Sequence, residues 1–468
     1  MNIILVILDS LRKDCLSVYG KPYWGDVHTP HMDAFAEQSL VMTRAYPESL
    51  PTLPTRRAIY TGQRVYPFHN ANFRLKGDFV GAPGWGPIPE DQATLAEILS
   101  EAGYRTALIA DVYHMFKPSK NYWRGFDQWM FLRGQETDPA RSGPALTQQE
   151  IDYWLPKELQ NEHSIRFIKK CILNMRDRIR EEDYFAPRVF REAAFWLEQN
   201  QDAFPFFLTV ESFDPHEPWL APPHYVRMYL KESTIPEQVK SGYAENALSP
   251  ELLRRTQANY SAAVTLCDRW FGFFLEQMRV LGLLDNTVVI FTSDHGHSIG
   301  DRGYCGKRGH PSMPEVYDVP LFIRFPGADH AGTTSDMFVQ HTDVTAAILE
   351  IAETEPPAPI DGVPFVEDAL LGKPGTRDHV TIGWGTHPTV ITPNWWFNAT
   401  VLGTQCKLYD LEAEDPFARD VAEEHPDVLE ELFAIAKQDA KGGFPDWLIK
   451  LAEENADAPG CTVLAARK

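Results

Sequence analysis

The chain has 468 residues, 44% hydrophobic and 23% charged, a balance that excludes disordered and fibrous classes and fits two or three domains, or one large α/β domain with an appendage. Its 44 Lys+Arg against 65 Asp+Glu give a formal net charge of −21, a field that repels phosphate backbones, so neither nucleic acid nor an anionic membrane is an expected partner. The six cysteines are scattered, with no CxxC pair and no zinc-ligand spacing, which implies free thiols and a reducing compartment.

The opening run Asn2–Leu8 is apolar and has no cationic leader. It is too short for a membrane span and reads as the first β-strand of a cytoplasmic protein. Further apolar runs at Tyr104–Ala110, Pro205–Glu211, Asn286–Ser293 and Val319–Phe325 read as buried strands. Between them, His31–Ser39, Gln92–Ala102, Arg188–Asn200 and Leu252–Leu281 read as helices. Such alternation predicts an α/β fold with a large, mostly parallel sheet sandwiched by helices. The stretch from about 133 to 187 breaks this rhythm and reads as a helical insertion, either a solvated face or a cover over a substrate or a second subunit. Proline-rich Glu353–Pro364 reads as a linker. It divides a large α/β domain, residues 1–360, from a small α+β C-terminal subdomain, residues 361–468. In the latter, His379–Trp384, Trp395–Leu402 and Cys406–Asp410 are strand-like and Val428–Lys437 is helical.

Open α/β sheets bind ligands at the carboxyl ends of their strands, so polar clusters there can converge in space. Asp9-Ser10 ends the first strand, where a carboxylate could hold a cation or cap a helix. In Ser49–Gly62, SLPTLPTRRAIYTG, Pro54 suits a helix start and places Thr52 at an anion-favouring N-terminus. The Thr52 hydroxyl is there either an N-cap or a nucleophile, and Arg56 one turn later could clamp oxyanions. His216, in SFDPHEPW, stands between two prolines on a loop after a strand and could donate a proton or contact an oxyanion. The segment Thr287–Lys307, TVVIFTSDHGHSIGDRGYCGK, is the most specific. Asp294 and His295 at a strand's end offer an oxygen and a nitrogen to one divalent cation, and Lys307 lies on the loop beyond.

In these motifs and their order the chain resembles the sulfatase family of the alkaline phosphatase superfamily over nearly its whole length. ILVILDSLRKD is similar to the family's first metal-binding strand, and PHMDAFAEQS to its first helix. Thr52-Leu53-Pro54-Thr55-Arg56 with Thr61-Gly62 follows the C/S-x-P-S/A-R…TG signature except at its first position. His216 matches the PH-x-P histidine, SDHG…GK the metal-and-lysine segment, and KLYDLEAEDP the C-terminal LYDL segment. The resemblance implies an alkaline phosphatase-like fold and a metal held by Asp9, Thr52, Asp294 and His295. It also implies that Arg56, His216 and Lys307 contact the transferred group of a small anionic ester. Ser10, Tyr113, His114 and His310 are further candidates for substrate contact, and a homo-oligomer is compatible with the family.

Three departures shape the expected chemistry. Ser10 replaces a second metal-binding carboxylate, which favours Mn²⁺ or Zn²⁺ over Ca²⁺ or Mg²⁺. The segment that carries a second lysine in typical sulfatases reads Ile109–His114 and has none; His114 or Tyr113 could stand in, as in the related phosphonate monoester hydrolases. The nucleophile position is Thr52, where the family oxidises Cys or Ser to formylglycine. No formylglycine is expected, because oxidation of threonine would give a ketone. Threonine nucleophiles in the superfamily, in enzymes resembling nucleotide pyrophosphatases, lipoteichoic acid synthases and phosphoethanolamine transferases, act on phosphorus. The reading is therefore a metal-dependent hydrolase of phosphodiesters or phosphonate monoesters. The alternatives are a sulfatase with an atypical or engineered nucleophile, a phosphotransferase, and a degenerate binding protein.

Overall fold

Every residue of the first strand is buried, as an apolar run without alternation requires of a strand covered on both faces. The computed structural model describes residues 1–69, 82–117, 120–231, 243–246, 248–308 and 310–454. Its main sheet has eight strands: β1 Asn2–Leu8, β2 Leu40–Tyr46, β3 Arg105–Ala110, β4 Gln128–Phe131, β5 Phe206–Ser212, β6 Thr287–Ser293, β7 Val319–Arg324 and β8 Thr334–Gln340. They lie in the order β8-β2-β7-β6-β1-β5-β3-β4. Only β7 runs against its neighbours; the other pairings are parallel. Alternate residues of β1 serve opposite cores: Ile4, Val6 and Leu8 pack with Phe190 and Phe271, whereas Ile3, Leu5 and Ile7 pack with Ile98 and Ile348. The α/β expectation stands.

The register positions the site. Leu8 of β1 is level with Ser212 of β5 and Ser293 of β6, so Asp9, Phe213 and Asp294 leave the sheet side by side. The helix Thr52–Thr61 follows β2 at the same edge and closes on Gly62, whose φ of 64° accepts the left-handed C-cap.

The sequence reading misses β2, β4 and β8. Leu40–Tyr46 includes Thr43 and Arg44, which break the apolar run, and Thr334–Gln340 begins with three polar or exposed positions near the sheet's edge. The insertion holds two helices, Gln148–Trp154 and Glu162–Met175. The second buries Phe167, Ile168, Cys171 and Ile172 against Leu155 and Leu220, so it is more than a solvated face.

The Glu353–Pro364 segment is not a free tether. Asp361 and Gly362 donate their backbone N–H groups to the Gly62 carbonyl, both at 2.9 Å. Beyond it lies a separate antiparallel sheet of β9 Val380–Trp384, β10 His387–Ile391, β11 Trp395–Asn398 and β12 Lys407–Asp410. The helix Pro426–Asp439 packs Leu432 and Ala436 on this sheet against Val390, Phe397 and Leu408. Gly383 of β9 donates to the Glu48 carbonyl at 2.9 Å and accepts from Leu50 N at 2.8 Å. The small sheet thereby braces the loop that delivers Thr52. Residues 455–468 of the C-terminal stretch lie outside the described residues. Among the described residues no helix is long and apolar enough to cross a membrane.

Candidate active site

Three strand-end residues converge first. One ligand atom from each of Asp9, Asp294 and His295 lies within 4.8 Å of the others, and all three side chains are buried. His295 Nδ1 donates to the Gly296 carbonyl at 3.0 Å, which leaves the lone pair on Nε2. Thr52 Oγ1 lies 3.5 Å from that Nε2. Ser10, held at a positive φ of 62°, donates its N–H to Asp294 Oδ1 and its hydroxyl to Asp9 Oδ1, both at 2.9 Å. Its hydroxyl therefore orients the cluster.

The donors fit a divalent cation. Asp9 Oδ2 is buried without a hydrogen-bond donor, and two carboxylates, an imidazole nitrogen and a hydroxyl oxygen make a mixed oxygen–nitrogen set suited to a hard or borderline ion. Burial and the neighbouring Asp294 raise the Asp9 pKa well above the usual carboxylate range. Burial opposes ionisation of Asp294 too, but His295 and Arg56 hold it below that range. The pair therefore favours a proton on Asp9 over two negative charges, and a bound cation would reverse that preference.

Thr52 is the first residue of its helix, whose N-cap is Pro51, and no side chain caps that end. Its hydroxyl faces His295 rather than capping the helix. Arg56 is wholly buried. Its Nε donates to Glu211 at 2.9 Å, and its Nη1 donates to Asp294 Oδ2 at 2.6 Å and to the Thr52 carbonyl at 3.1 Å. Nη1 also stands 3.1 Å from Asp9 Oδ2. Most of the guanidinium is therefore engaged in tying strand ends together. Nη2 is buried without a hydrogen-bond partner. Glu211, held also by Tyr60 OH at 2.8 Å, is a site residue the sequence reading misses; an acid ending an apolar strand was its only signal.

A second group lies within electrostatic reach of Asp9 and His295. Lys307 Nζ donates to His216 Nε2 at 2.5 Å, while His216 Nδ1 donates to the Glu217 carbonyl at 2.6 Å. Burial pushes His216 down to about 3; Glu217 opposes the shift and Lys307 adds to it. The ring is therefore neutral at pH 7, and its Nε2 is already an acceptor. As a neutral ring whose Nε2 already accepts from Lys307, His216 has no proton on that nitrogen to give in this arrangement. Glu217 reaches within 3.9 Å of Lys307 and 3.5 Å of His297. Burial resists its ionisation, but His216, Lys307 and His297 keep its pKa well below the usual range. Glu217 and His297 sit inside quoted motifs yet were not singled out. His341, buried at the end of β8 and within electrostatic reach of Asp294, was hidden because that strand was missed.

Tyr113 and His114 line the neighbouring wall. Tyr113 OH donates to Glu136 at 2.8 Å, and His114 Nε2 lies 3.5 Å from the same carboxylate. Lys117 Nζ donates to His114 Nδ1 at 3.2 Å, so a lysine three residues further along borders the place where the family's second lysine is missing. His310 is not brought into this group. It hydrogen-bonds Asn398 and stacks on His387, 4.3 Å between centroids, at the C-terminal sheet.

A threonine at a helix start, a carboxylate–histidine cluster and a lysine at the carboxyl edge of an α/β sheet fit one class: a hydrolase with the alkaline phosphatase-like fold. The Sulfatase family model matches residues 1–354, and the chain belongs to that family. It is 28% identical over 365 residues to the ulvan-active sulfatase of Formosa agariphila, covering 77% of this chain and 63% of that protein. It is 26% identical over 406 residues to an arylsulfatase of Clostridium perfringens, covering 81% and 80%. In three dimensions it is similar to the phosphonate monoester hydrolase of Agrobacterium radiobacter, with a TM-score of 0.71, 19% identity and coverage of 94% and 96%.

Proposed function

We propose that the protein hydrolyses phosphoesters, either phosphodiesters or phosphonate monoesters, with Thr52 as nucleophile. The observation that carries this reading is the Thr52 hydroxyl at a helix start, 3.5 Å from His295 Nε2 and beside the Asp9–Asp294 pair. Asp9, Asp294, His295 and Thr52 would hold one divalent ion, whose charge supplies a lower hydroxyl pKa and neutralises a non-bridging oxygen. The Thr52 hydroxyl releases its proton to solvent water as Oγ1 bonds to phosphorus and the bond to the alcohol oxygen breaks. Lys307 Nζ protonates that departing oxygen and is reprotonated by the water that attacks in the second step. Arg56 keeps the nucleophile's helix on the strand ends. Water then cleaves the Thr52 ester and restores the hydroxyl. Phosphoryl transfer needs positioning and charge more than covalent assistance, which these side chains can supply.

Sulfate ester hydrolysis is the second reading, supported by the two relatives named as sulfatases. It requires water to attack a Thr52 sulfate at sulfur, because threonine has no geminal hydroxyl to expel sulfate by elimination. The test is an acid quench of the enzyme during turnover of a nitrophenyl phosphodiester, followed by peptide mass spectrometry. The expected product is a phosphoryl adduct on an otherwise ordinary Thr52. Thr52→Val should show none and lose roughly 10³-fold or more in rate. An oxidised residue 52, or an active Thr52→Val, would refute the proposal.

A further inference from the structure

The insertion's best-braced loop carries an acid into the wall beside the reaction centre. Arg133 donates twice to Asp138, each at 2.7 Å, and Gly134 N donates to the same carboxylate at 2.8 Å. Asn174, from the helix Glu162–Met175, donates to the carbonyls of Gly134 and Asp138 at 2.9 Å, and Cys171 Sγ donates to that of Glu136 at 3.3 Å. Gln135 reaches Asp111 and Asp214 at the ends of β3 and β5, at 2.8 and 2.9 Å. At the centre of this bracing Glu136 holds a left-handed φ of 49°, a conformation that non-glycine residues keep where the surroundings enforce it.

Its carboxylate faces aromatic rings. It contacts Tyr113 OH and His114 Nε2. His114 in turn meets Trp85, 5.0 Å between centroids, and Phe213, 5.9 Å. Phe213 also stacks on His216 at 4.1 Å, so one ring touches both the Lys307–His216 pair and His114. Glu136 is close enough to act electrostatically on His216. A carboxylate at this wall, beside the Lys117 ammonium on His114, favours a substrate with a positive charge on its alcohol half over one without. The rings can receive one: the Lys117 ammonium stands 4.7 Å from the Tyr113 ring centroid.

We propose that Glu136 is a specificity-determining residue, forming with Tyr113, His114, Trp85 and Phe213 a subsite for an ammonium group on the alcohol half of the substrate. The proposal deepens the phosphoester reading in naming the substrate's alcohol, but the subsite can be tested without turnover. Titrations followed by ligand-observed NMR would compare 3-(aminomethyl)phenol, 3-(hydroxymethyl)phenol and 3-methylphenol as free leaving groups, with wild type, Glu136→Gln and Glu136→Lys. The aminomethyl compound should bind wild type about tenfold more tightly than either neutral phenol, as a charge-assisted contact to a carboxylate implies. Glu136→Gln, nearly isosteric, should bring the three within about twofold, and Glu136→Lys should make the ammonium compound the weakest. The phosphodiesters that carry these three phenols as their leaving groups should repeat the order in kcat/KM. Discrimination among the phenols with no phosphodiester turnover would keep the subsite and remove the phosphoester reading. Equal binding of the three phenols by wild type, or a preference that survives Glu136→Gln, would overturn the subsite.

Discussion

Deleting the Arg56 side chain removes the one guanidinium on which three buried carboxylates depend. Its Nε lies 2.9 Å from Glu211, and its Nη1 lies 2.6 Å from Asp294 and 3.1 Å from Asp9, with all four side chains inaccessible to water. Breaking one buried ion pair by removing a partner costs about 3–5 kcal/mol, because the remaining charge keeps its desolvation penalty. Three such losses do not add here: burial and Asp294 already raise the Asp9 pKa, so that group takes up a proton rather than stay charged. We therefore expect Arg56→Ala to lose about 5 kcal/mol of stability in urea unfolding with a chelator present. Saturating Mn²⁺ or Zn²⁺ should restore part of it, since a cation bound only by the folded state stabilises that state. A loss below about 1 kcal/mol in the chelator would refute the view that Arg56 is the electrostatic keystone of these strand ends.

Asp294→Asn and His295→Ala should each weaken divalent-metal binding by more than about a hundredfold, measured by metal titration and elemental analysis of the purified variants. Acid should destabilise the protein along a calculable direction. Burial pushes His216 and His297 down to about 3 and His341 to about 4 from an ordinary 6.5. Below pH 6.5 the unfolded chain therefore binds more protons than the folded one, so stability falls as pH drops from 6.5 toward 3. Each buried histidine contributes up to about 1.4 kcal/mol per pH unit. Urea midpoints from pH 7 to 5 check this, and His297→Asn or His341→Asn should flatten the slope.

The residues legible in the sequence were those whose position follows from the strand-end rule. Asp9, Asp294 and His295 end unbroken apolar runs, and Thr52 precedes a helix marked by proline and glycine, so local pattern alone placed them at one edge. What stayed hidden depends on contacts between distant segments. Arg56 reads locally as an anion clamp, yet three strands supply carboxylates that take up most of its guanidinium. Glu217 adjoins His216 in sequence, but its hold on Lys307 appears only when the loop beyond β6 folds back. Glu136 sits in an insertion with no periodic signal, and its place beside His114 is made by the helix Glu162–Met175. The strands β2 and β8 escaped because polar residues interrupt them near the sheet's edge, and His341 escaped with β8. His310, a candidate for substrate contact, is instead turned to the C-terminal sheet, where it meets Asn398 and His387.

The central claim is that an unmodified threonine commits this site to phosphorus rather than sulfur. Steady-state kcat/KM for nitrophenyl phosphodiester, phosphonate monoester and sulfate, with one metal at one pH, measures it directly. The account predicts that the diester or phosphonate exceeds the sulfate by at least about tenfold, with the sulfate stalling after one turnover, because a Thr52 sulfate lacks the elimination route and a Thr52 phosphoester can be attacked by water. Sulfate turnover equal to or above both, without a burst, would contradict it.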